Sequence, residues 1–392
     1  MSLGRRWRGV IAVVVAITAT AIAAALSYGR APKPAVYKVP GNIKSDCSAP
    51  VEAKIMAWLA TVPDGSTAQF GAGRCYGQDG TITLSGRNGL VIDGQGSEFR
   101  ALTLGGDHRV NWRFIGGGNL TVRNMAVRGS DPQGTYDHAV EWQHGYSIEG
   151  VQGMNLSNVQ ARETWGDGID IWRAGGTHTC GADATSARNI VISGARIERI
   201  GRQGLAVVDG ERVTLQDSTV GPVAWANVDI ETDDSCEIAR HITLARNSFG
   251  SNGWGVIVNG GFGADPQVGD LTATDNVQTA PTIETGILTP DPCRAPVRIL
   301  SPDAVYRSAY TFTGNRFMTP NNAFVFRRAN NVSVSSNSVT FTPTAGCDSR
   351  AGVRLTDSHT VTIANNSFSG ANTVYSADGL STDVTASGNT TN

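Results

Sequence analysis

One short pattern keeps returning along this chain: an alternating apolar run, an Asn or a stand-in for it, and a second alternating run. NLTVRNMAV, NIVISGARI, RVTLQDSTV, HITLARNSF, YTFTGNRF and VTIANNSF are members. Aligning them puts Asn124, Asn158, Gly194, Asp217, Asn247, Asn276, Asn315, Asn337 and Asn366 in one column. The steps run from 22 residues (Asn315 to Asn337) to 39 (Asn276 to Asn315). A short repeat with occasional insertions is the mark of a solenoid. No single unit can bury its own apolar face, so neighbours must stack.

The period inside each repeat fixes the kind of solenoid. Val213 and Leu215 alternate with Thr214, and Ile242 and Leu244 with Thr243, which is strand spacing. The recurring Asn follows a strand, where it can turn the chain through a left-handed conformation and hydrogen-bond to its equivalent one coil away. Such ladders suit a parallel β-helix, whose coils lie roughly 4.8 Å apart. A leucine-rich repeat is excluded because no regular LxxLxL frame is present. The expectation is an all-β, single-stranded parallel β-helix.

Charge and compartment narrow the function. The 392 residues carry a formal net charge of -2, and only 17% are charged. That balance argues against a nucleic-acid surface, which needs clustered basic side chains. The four lysines, Lys33, Lys38, Lys44 and Lys54, all precede the repeats, so none can serve as a base on the β-helix body. Arg5, Arg6 and Arg8 precede an apolar run of 17 residues from Val10 to Leu26, followed by the tether-like segment with Pro32, Pro34 and Pro40. Residues 1–27 read as a signal peptide or signal anchor, 28–46 as an extended tether, and 47–392 as one domain. The body is therefore expected outside the cytoplasm, either secreted or held at the outer face of the membrane, as a monomer. Six cysteines fit that compartment. The expected pairing is sequential: Cys47 with Cys75, Cys180 with Cys236, and Cys293 with Cys347.

A helix is expected to start near Ser48 and run through VEAKIMAWLA, covering the open end of the first coil. After it come Pro63-Asp64-Gly65, a Gly73-to-Tyr76 step and Ile92-Asp93-Gly94-Gln95-Gly96. This run resembles the entry to the pectin-lyase-like β-helix proteins, with their cap helix, PDG turn, G-x-Y step and I-D-G-x-G step. The resemblance implies a right-handed helix with an N-terminal cap and a carbohydrate-active role, shared by polygalacturonase-like hydrolases, pectate and alginate lyases, and uronan epimerases. It specifies fold far more than chemistry.

Chemistry is sought where outward side chains of successive coils form columns. Matching Gly168, Gly204 and Asn227 puts Asp170, Ala206 and Asp229 in one outward column, and Trp172, Val208 and Glu231 in the next. Ile169, Ile171 and Ile230 then face inward. Asp170 and Asp229 would be two coils apart, or about 9 to 10 Å between Cα atoms. That suits an inverting glycosidase, whose carboxyl groups lie roughly 6.5–9.5 Å apart around a water. Asp167 and Glu231 are candidates to join this pair and raise a pKa by like-charge repulsion. Arg202, Gln203, His144 and Glu141 are candidate substrate contacts, and Trp165, Trp172, Trp225 and Trp254 offer flat faces for sugar rings. His144 should stand one coil from Asp167. Asp137 and His138 belong to the same loop as Glu141.

The expected activity is hydrolysis of a polysaccharide, without cofactor or metal. The acid-rich centre favours a neutral or weakly charged glycan. Two alternatives stand beside it. One is a lyase or epimerase with an Arg or His base and calcium, for which Asp233-Asp234 offers oxygen ligands. The other is a non-catalytic β-helix that binds glycans.

Overall fold

The computed structural model describes residues 34–175, 185–263, 267–279, 293–302, 305–342, 344–347 and 349–392. From Val36 onward these residues form a right-handed parallel β-helix. Strand pairs are parallel throughout and join segments about one repeat apart, as Val213↔Ile242 and Ile242↔Leu271 illustrate. One face is an 11-stranded parallel sheet running from Ile82–Ser85 to Thr373–Ala377. The other two faces belong to one continuous sheet. Its long early strands, Gly118–Arg128 and Gln152–Thr164, run round a corner and serve both faces. Inside, stacked Ile, Val, Leu and Phe side chains form one core that extends from Ile43 to Phe368.

The repeating corner divides its work between two adjacent residues. Asn124, Asn158, Gly194 and Asp217 have positive φ and turn the chain. From the next coil the positive φ falls on Arg246, Asp275, Gly314, Ser336 and Asn365. The buried Asn that follows each of these makes the ladder. Asn276 N–H donates to Asn315 Oδ1 at 3.0 Å, Asn315 N–H to Asn337 Oδ1 at 2.9 Å, and Asn337 N–H to Asn366 Oδ1 at 2.9 Å. Each Nδ2 also donates to a neighbouring coil, as Asn315 Nδ2 does to Ala273 O at 2.9 Å. The single column expected from sequence therefore slips by one residue between Asp217 and Asn247. Gln216 pairs with Ala245, so Asn247 stands opposite Ser218, and Ser218 N–H donates to its Oδ1. Asn suits both positions, for its left-handed tolerance at one and its side-chain hydrogen bonds at the other. Letter matching alone merged them.

The N-terminal end differs from expectation in two details. The helix, α1, spans Glu52–Thr61 and buries Ile55, Trp58 and Leu59 against the first coils. Ser48 does not start it. Ser48 lies in the strand Asp46–Pro50, which pairs with Cys75–Gln78. The parallel ladder also reaches back into the segment read as a tether, because Val36–Lys38 pairs with Thr67–Gln69. Backbone hydrogen bonds to an existing sheet edge outweigh the Pro-rich composition there. Cys47–Cys75 and Cys293–Cys347 are bridged, as sequential pairing requires. The pair expected between Cys180 and Cys236 involves a residue outside those described.

Candidate active site

The site lies on the 11-stranded face, where the chain enters four successive strands through tight corners. Gly145, Gly168 and Gly204 occupy one stacked position, with Asn227 as its next member. A Cβ at Gly204 would meet Val220 Cγ1 at 2.2 Å and Asn227 O at 2.6 Å, so the coils close here only without a side chain. At the fourth coil Asn227 turns its side chain aside and donates to Val220 O at 2.9 Å. These corners set the register of everything that follows.

That register matches the expected columns. Ser147, Asp170, Ala206 and Asp229 are consecutive partners. Glu149 pairs with Trp172, and Glu231 stands two residues beyond Asp229 on its strand. Ile169, Ile171 and Ile230 are fully buried in the core. Asp170 and Asp229 are thus two rungs apart, roughly 10 Å between Cα atoms at standard strand spacing.

The acids point outward yet are not open surface. Asp170 is 5% exposed, Asp229 2% and Asp167 0%. Loop side chains lie over them. Arg202 spans the centre: Nη1 is 3.3 Å from Asp167 Oδ2, Nη2 is 3.5 Å from Glu231 Oε2, and Nε is 3.8 Å from Glu141 Oε2. Its guanidinium lies between the rings of Trp142 and Trp225, 5.9 and 5.5 Å from their centroids. Asp167 also accepts from Gln203 N–H at 3.0 Å, and Gln203 Nε2 donates to Asp229 Oδ2 at 3.1 Å. Fully buried Gln203 therefore underpins both acids.

His144 stands beside Asp167, one coil away as expected. Asp167 N–H donates to its Nδ1 at 2.9 Å, and Asp167 Oδ2 is 3.2 Å from the same nitrogen. A nitrogen that accepts from a backbone N–H carries no proton, so the neutral ring keeps its proton on Nε2. Burial disfavours charge on His144, but the Asp167 carboxylate outweighs it and holds the pKa above its ordinary value. Burial likewise works against the Asp167 carboxylate. Arg202 and His144 overcome it and keep its pKa low.

The other acids shift the opposite way. Burial, reinforced by the nearby Asp167 and Glu149 carboxylates, pushes Asp170 up to about 6. Asp229 rises to about 6 through burial, against the hydrogen bond from Gln203. Glu231 rises to about 8 through burial and the charge of Asp229. Glu231 stands two residues beyond Asp229 on one strand and the charge of Asp229 disfavours its ionisation, so Glu231 retains a proton at neutral pH while Asp170, at about 6, is mostly ionised.

Beside Asp170 a cleft of about 440 Å³ opens, lined by Arg113, Trp142, Ser147, Glu149, Asp170 and Trp172 among others. Trp142 and Trp172 face each other at 6.5 Å with an interplanar angle of 21°. Sequence reasoning missed Trp142, Arg113, Ser147 and Glu149. Arg113 makes a double hydrogen bond to Glu149, at 2.6 and 2.8 Å. Extending the matched columns one and two coils earlier would have found Ser147, Glu149 and Arg113, since Arg113 pairs with Ser147 and Ser147 with Asp170, whereas Trp142 lies in a loop on no column.

The remaining expected residues are spread around this centre. Glu141 is buried and accepts from Tyr136 Oη at 2.8 Å, so it anchors the loop and Arg202. Asp137 caps the short turn His138–Val140, and exposed His138 sits 2.7 Å from Glu141. Trp172 reaches the cleft. Trp225 backs Arg202, and Trp254 packs edge-on against Trp225 at 5.4 Å. Trp165 donates to Ser130 Oγ at 3.1 Å, away from the cleft lining. Asp233 and Asp234 turn their backbone N–H groups onto Glu237 Oε2 at 2.5 and 3.0 Å. Among the described residues no group of three or more His, Cys, Asp or Glu side chains converges to hold a metal ion.

No family model matches the chain, and no curated protein matches it at a significant level. Solved structures do. The surface adhesin PfbA of Streptococcus pneumoniae superposes with a TM-score of 0.63 at 10% identity, covering 89% of this chain and 95% of that one. Endo-xylogalacturonan hydrolase from Aspergillus tubingensis gives a TM-score of 0.53 at 12% identity, covering 90% and 92%. The Family 28 exopolygalacturonase of Yersinia enterocolitica gives 0.57 at 11% identity, covering 92% and 78%. The chain thus shares the right-handed parallel β-helix fold of the pectin-lyase-like proteins. At these identities the likeness concerns the fold alone.

Proposed function

We propose that the protein is an inverting glycoside hydrolase that cleaves a polysaccharide laid along the 11-stranded face, outside the cytoplasm. The observation that carries this reading is the pair Asp170 and Asp229: two buried carboxyl groups, in register, two rungs apart, both with raised pKa values. A buried acid with no task would be replaced readily by a neutral side chain, since ionising it there is costly.

The roles follow from proton occupancy. Asp170, ionised at neutral pH beside the cleft, takes a proton from water as the oxygen attacks the anomeric carbon. The proton held by the Asp229–Glu231 pair passes to the glycosidic oxygen as the carbon–oxygen bond breaks. Water enters on the face opposite the leaving group, so the configuration inverts. Asp167, Gln203 and Arg202 fix the geometry. Trp142 and Trp172 offer faces on which sugar rings stack.

The two hydrolases among the similar structures favour a glycan substrate, and the disulfides favour an oxidising compartment. No described helix is long and apolar enough to cross a membrane. The test is release of reducing ends from a panel of galacturonan, xylogalacturonan and α-1,3-glucan, with and without a chelator. Chelator-insensitive release that is lost in Asp170→Asn and Asp229→Asn supports the reading. Chelator-sensitive release of unsaturated products would assign a lyase instead. Binding without release from any glycan would assign a non-catalytic glycan-binding protein.

A further inference from the structure

Ser147 stands one rung before Asp170 and touches two carboxylates at once. Its Oγ is 3.2 Å from Asp170 Oδ2 and 3.0 Å from Glu149 Oε1. Ser147 is 2% exposed and Glu149 3%. A serine hydroxyl carries one proton and can donate to only one of these neighbours. Arg113 decides which. Its Nε and Nη2 donate to the two oxygens of Glu149 at 2.6 and 2.8 Å, a charge-assisted double bond that holds Glu149 Oε1 nearer to Ser147 Oγ than Asp170 Oδ2 is. Ser147 therefore donates to Glu149, and its lone pair faces Asp170. That arrangement is complete when Asp170 carries a proton on Oδ2 and mismatched when it does not.

Resting on the hydrolase reading for its use, we propose that Ser147 and Glu149, clamped by Arg113, form a proton wire that empties Asp170 after each turnover. Hydrolysis leaves Asp170 protonated and the Asp229–Glu231 pair one proton short. Asp170 Oδ2–H passes its proton to Ser147 Oγ while the Ser147 proton passes to Glu149 Oε1. Glu149 then releases it to water in the vacated cleft, which it lines. The net change is one proton moved from Asp170 to solvent, with no other bond altered. The groups that face Asp170 and bias its proton are His144, Asp167, Glu149 and Ser147. Ser147 and Glu149 are thus positioning residues that act through Asp170.

Two readouts test the wire, and the first needs no substrate. In ¹³C-aspartate-labelled protein, the Asp170 carboxyl midpoint is followed by NMR in wild type, Ser147→Ala and Glu149→Gln, and assigned by its loss in Asp170→Asn. Removing the Glu149 charge should lower the midpoint, and removing the Ser147 hydroxyl, whose lone pair holds the Asp170 proton, should lower it as well. A midpoint unmoved in both variants overturns the wire whatever the activity. The second readout uses the panel glycan that wild type cleaves fastest. Ser147→Ala should lower kcat about 100-fold, the lower end of the span typical of proton-transfer contributions, with KM unchanged. Ser147→Thr, which keeps the hydroxyl, should recover most of the loss. If Asp170→Asn is inactive while Ser147→Ala turns over like wild type, the wire fails and the hydrolase reading stands. If Asp170→Asn is fully active, the hydrolase reading fails, and the NMR midpoints still judge the linkage.

Discussion

Two stacks of buried polar groups run along the same solenoid, and they are built on opposite terms. At the corner, Asn247 to Asn366 form a ladder in which side-chain oxygens accept from backbone N–H groups and amide nitrogens donate to backbone carbonyls. The groups are neutral and their hydrogen bonds are made. On the 11-stranded face, Asp170, Asp229 and Glu231 stack as acids with raised pKa values, held by one arginine and one glutamine. The fold gains from the first stack and is strained by the second. That contrast separates a scaffold from a site more sharply than exposure does, because Asp170 and Asp229 are buried as the ladder asparagines are.

The contrast breaks most visibly in activity. Asp170→Asn and Asp229→Asn should each lower turnover by about 10³-fold or more, an effect of roughly 4 kcal/mol on the barrier. Asn315→Ala should leave activity within a fewfold of wild type, measured on the same glycan. An equal loss in both classes would erase the distinction.

Arg202 sharpens it next. Arg202→Met leaves Asp167, Glu141 and Glu231 without their shared cation, and breaking such a buried pair costs about 3–5 kcal/mol. Urea unfolding at neutral pH should show it as a lowered midpoint with an unchanged slope. No change in midpoint would mean that the acids are already neutral there.

The pH dependence of stability follows with its sign. Asp170, Asp229 and Glu231 have raised folded pKa values, so the folded state holds more protons than the unfolded chain between about pH 4 and about pH 8. Stability from these groups is full below their unfolded pKa values and declines as pH rises through the folded ones. Asp167, held low, acts oppositely: its contribution is present at higher pH and lost on acidification. Asp170→Asn should therefore be more stable than wild type at pH 8 by up to ~3 kcal/mol, and the gain should vanish near pH 4. Thermal melts of the two proteins across that range make the check.

The ladder gives the smallest effect. Asn315→Ala strands Asn276 N–H and the carbonyl of Ala273, a loss of about 1–3 kcal/mol. It should be independent of pH.

Much of this plan is readable in the sequence because the solenoid is periodic. Gly168, Gly204 and Asn227 recur at the same corner, so matching them was enough to bring Asp170 and Asp229 into one column and His144 beside Asp167. What escaped was set by geometry without period. The ladder slipped by one residue at Asn247 because the turning position and the bonding position both accept Asn. The burial of the acids depends on loops such as Asp131–His144, which fold back over the face and carry Trp142 and Tyr136. Arg113, Ser147 and Glu149 lie on the right columns; the alignment that set His144 beside Asp167 already reached the strand of Ser147 and Glu149, but the outward columns were read only through the three later units, and the strand of Arg113 lay one coil further back. Val36–Lys38 joined the ladder because an open sheet edge offers hydrogen bonds that composition does not reveal.

The central claim is that stacking brings Asp170 and Asp229 to opposite sides of one glycosidic bond with room for a water between. Proton NMR of the first product anomer, recorded while a panel glycan is being cleaved, tests it most directly. Inversion of the anomeric configuration is the predicted result, and net retention would contradict the account.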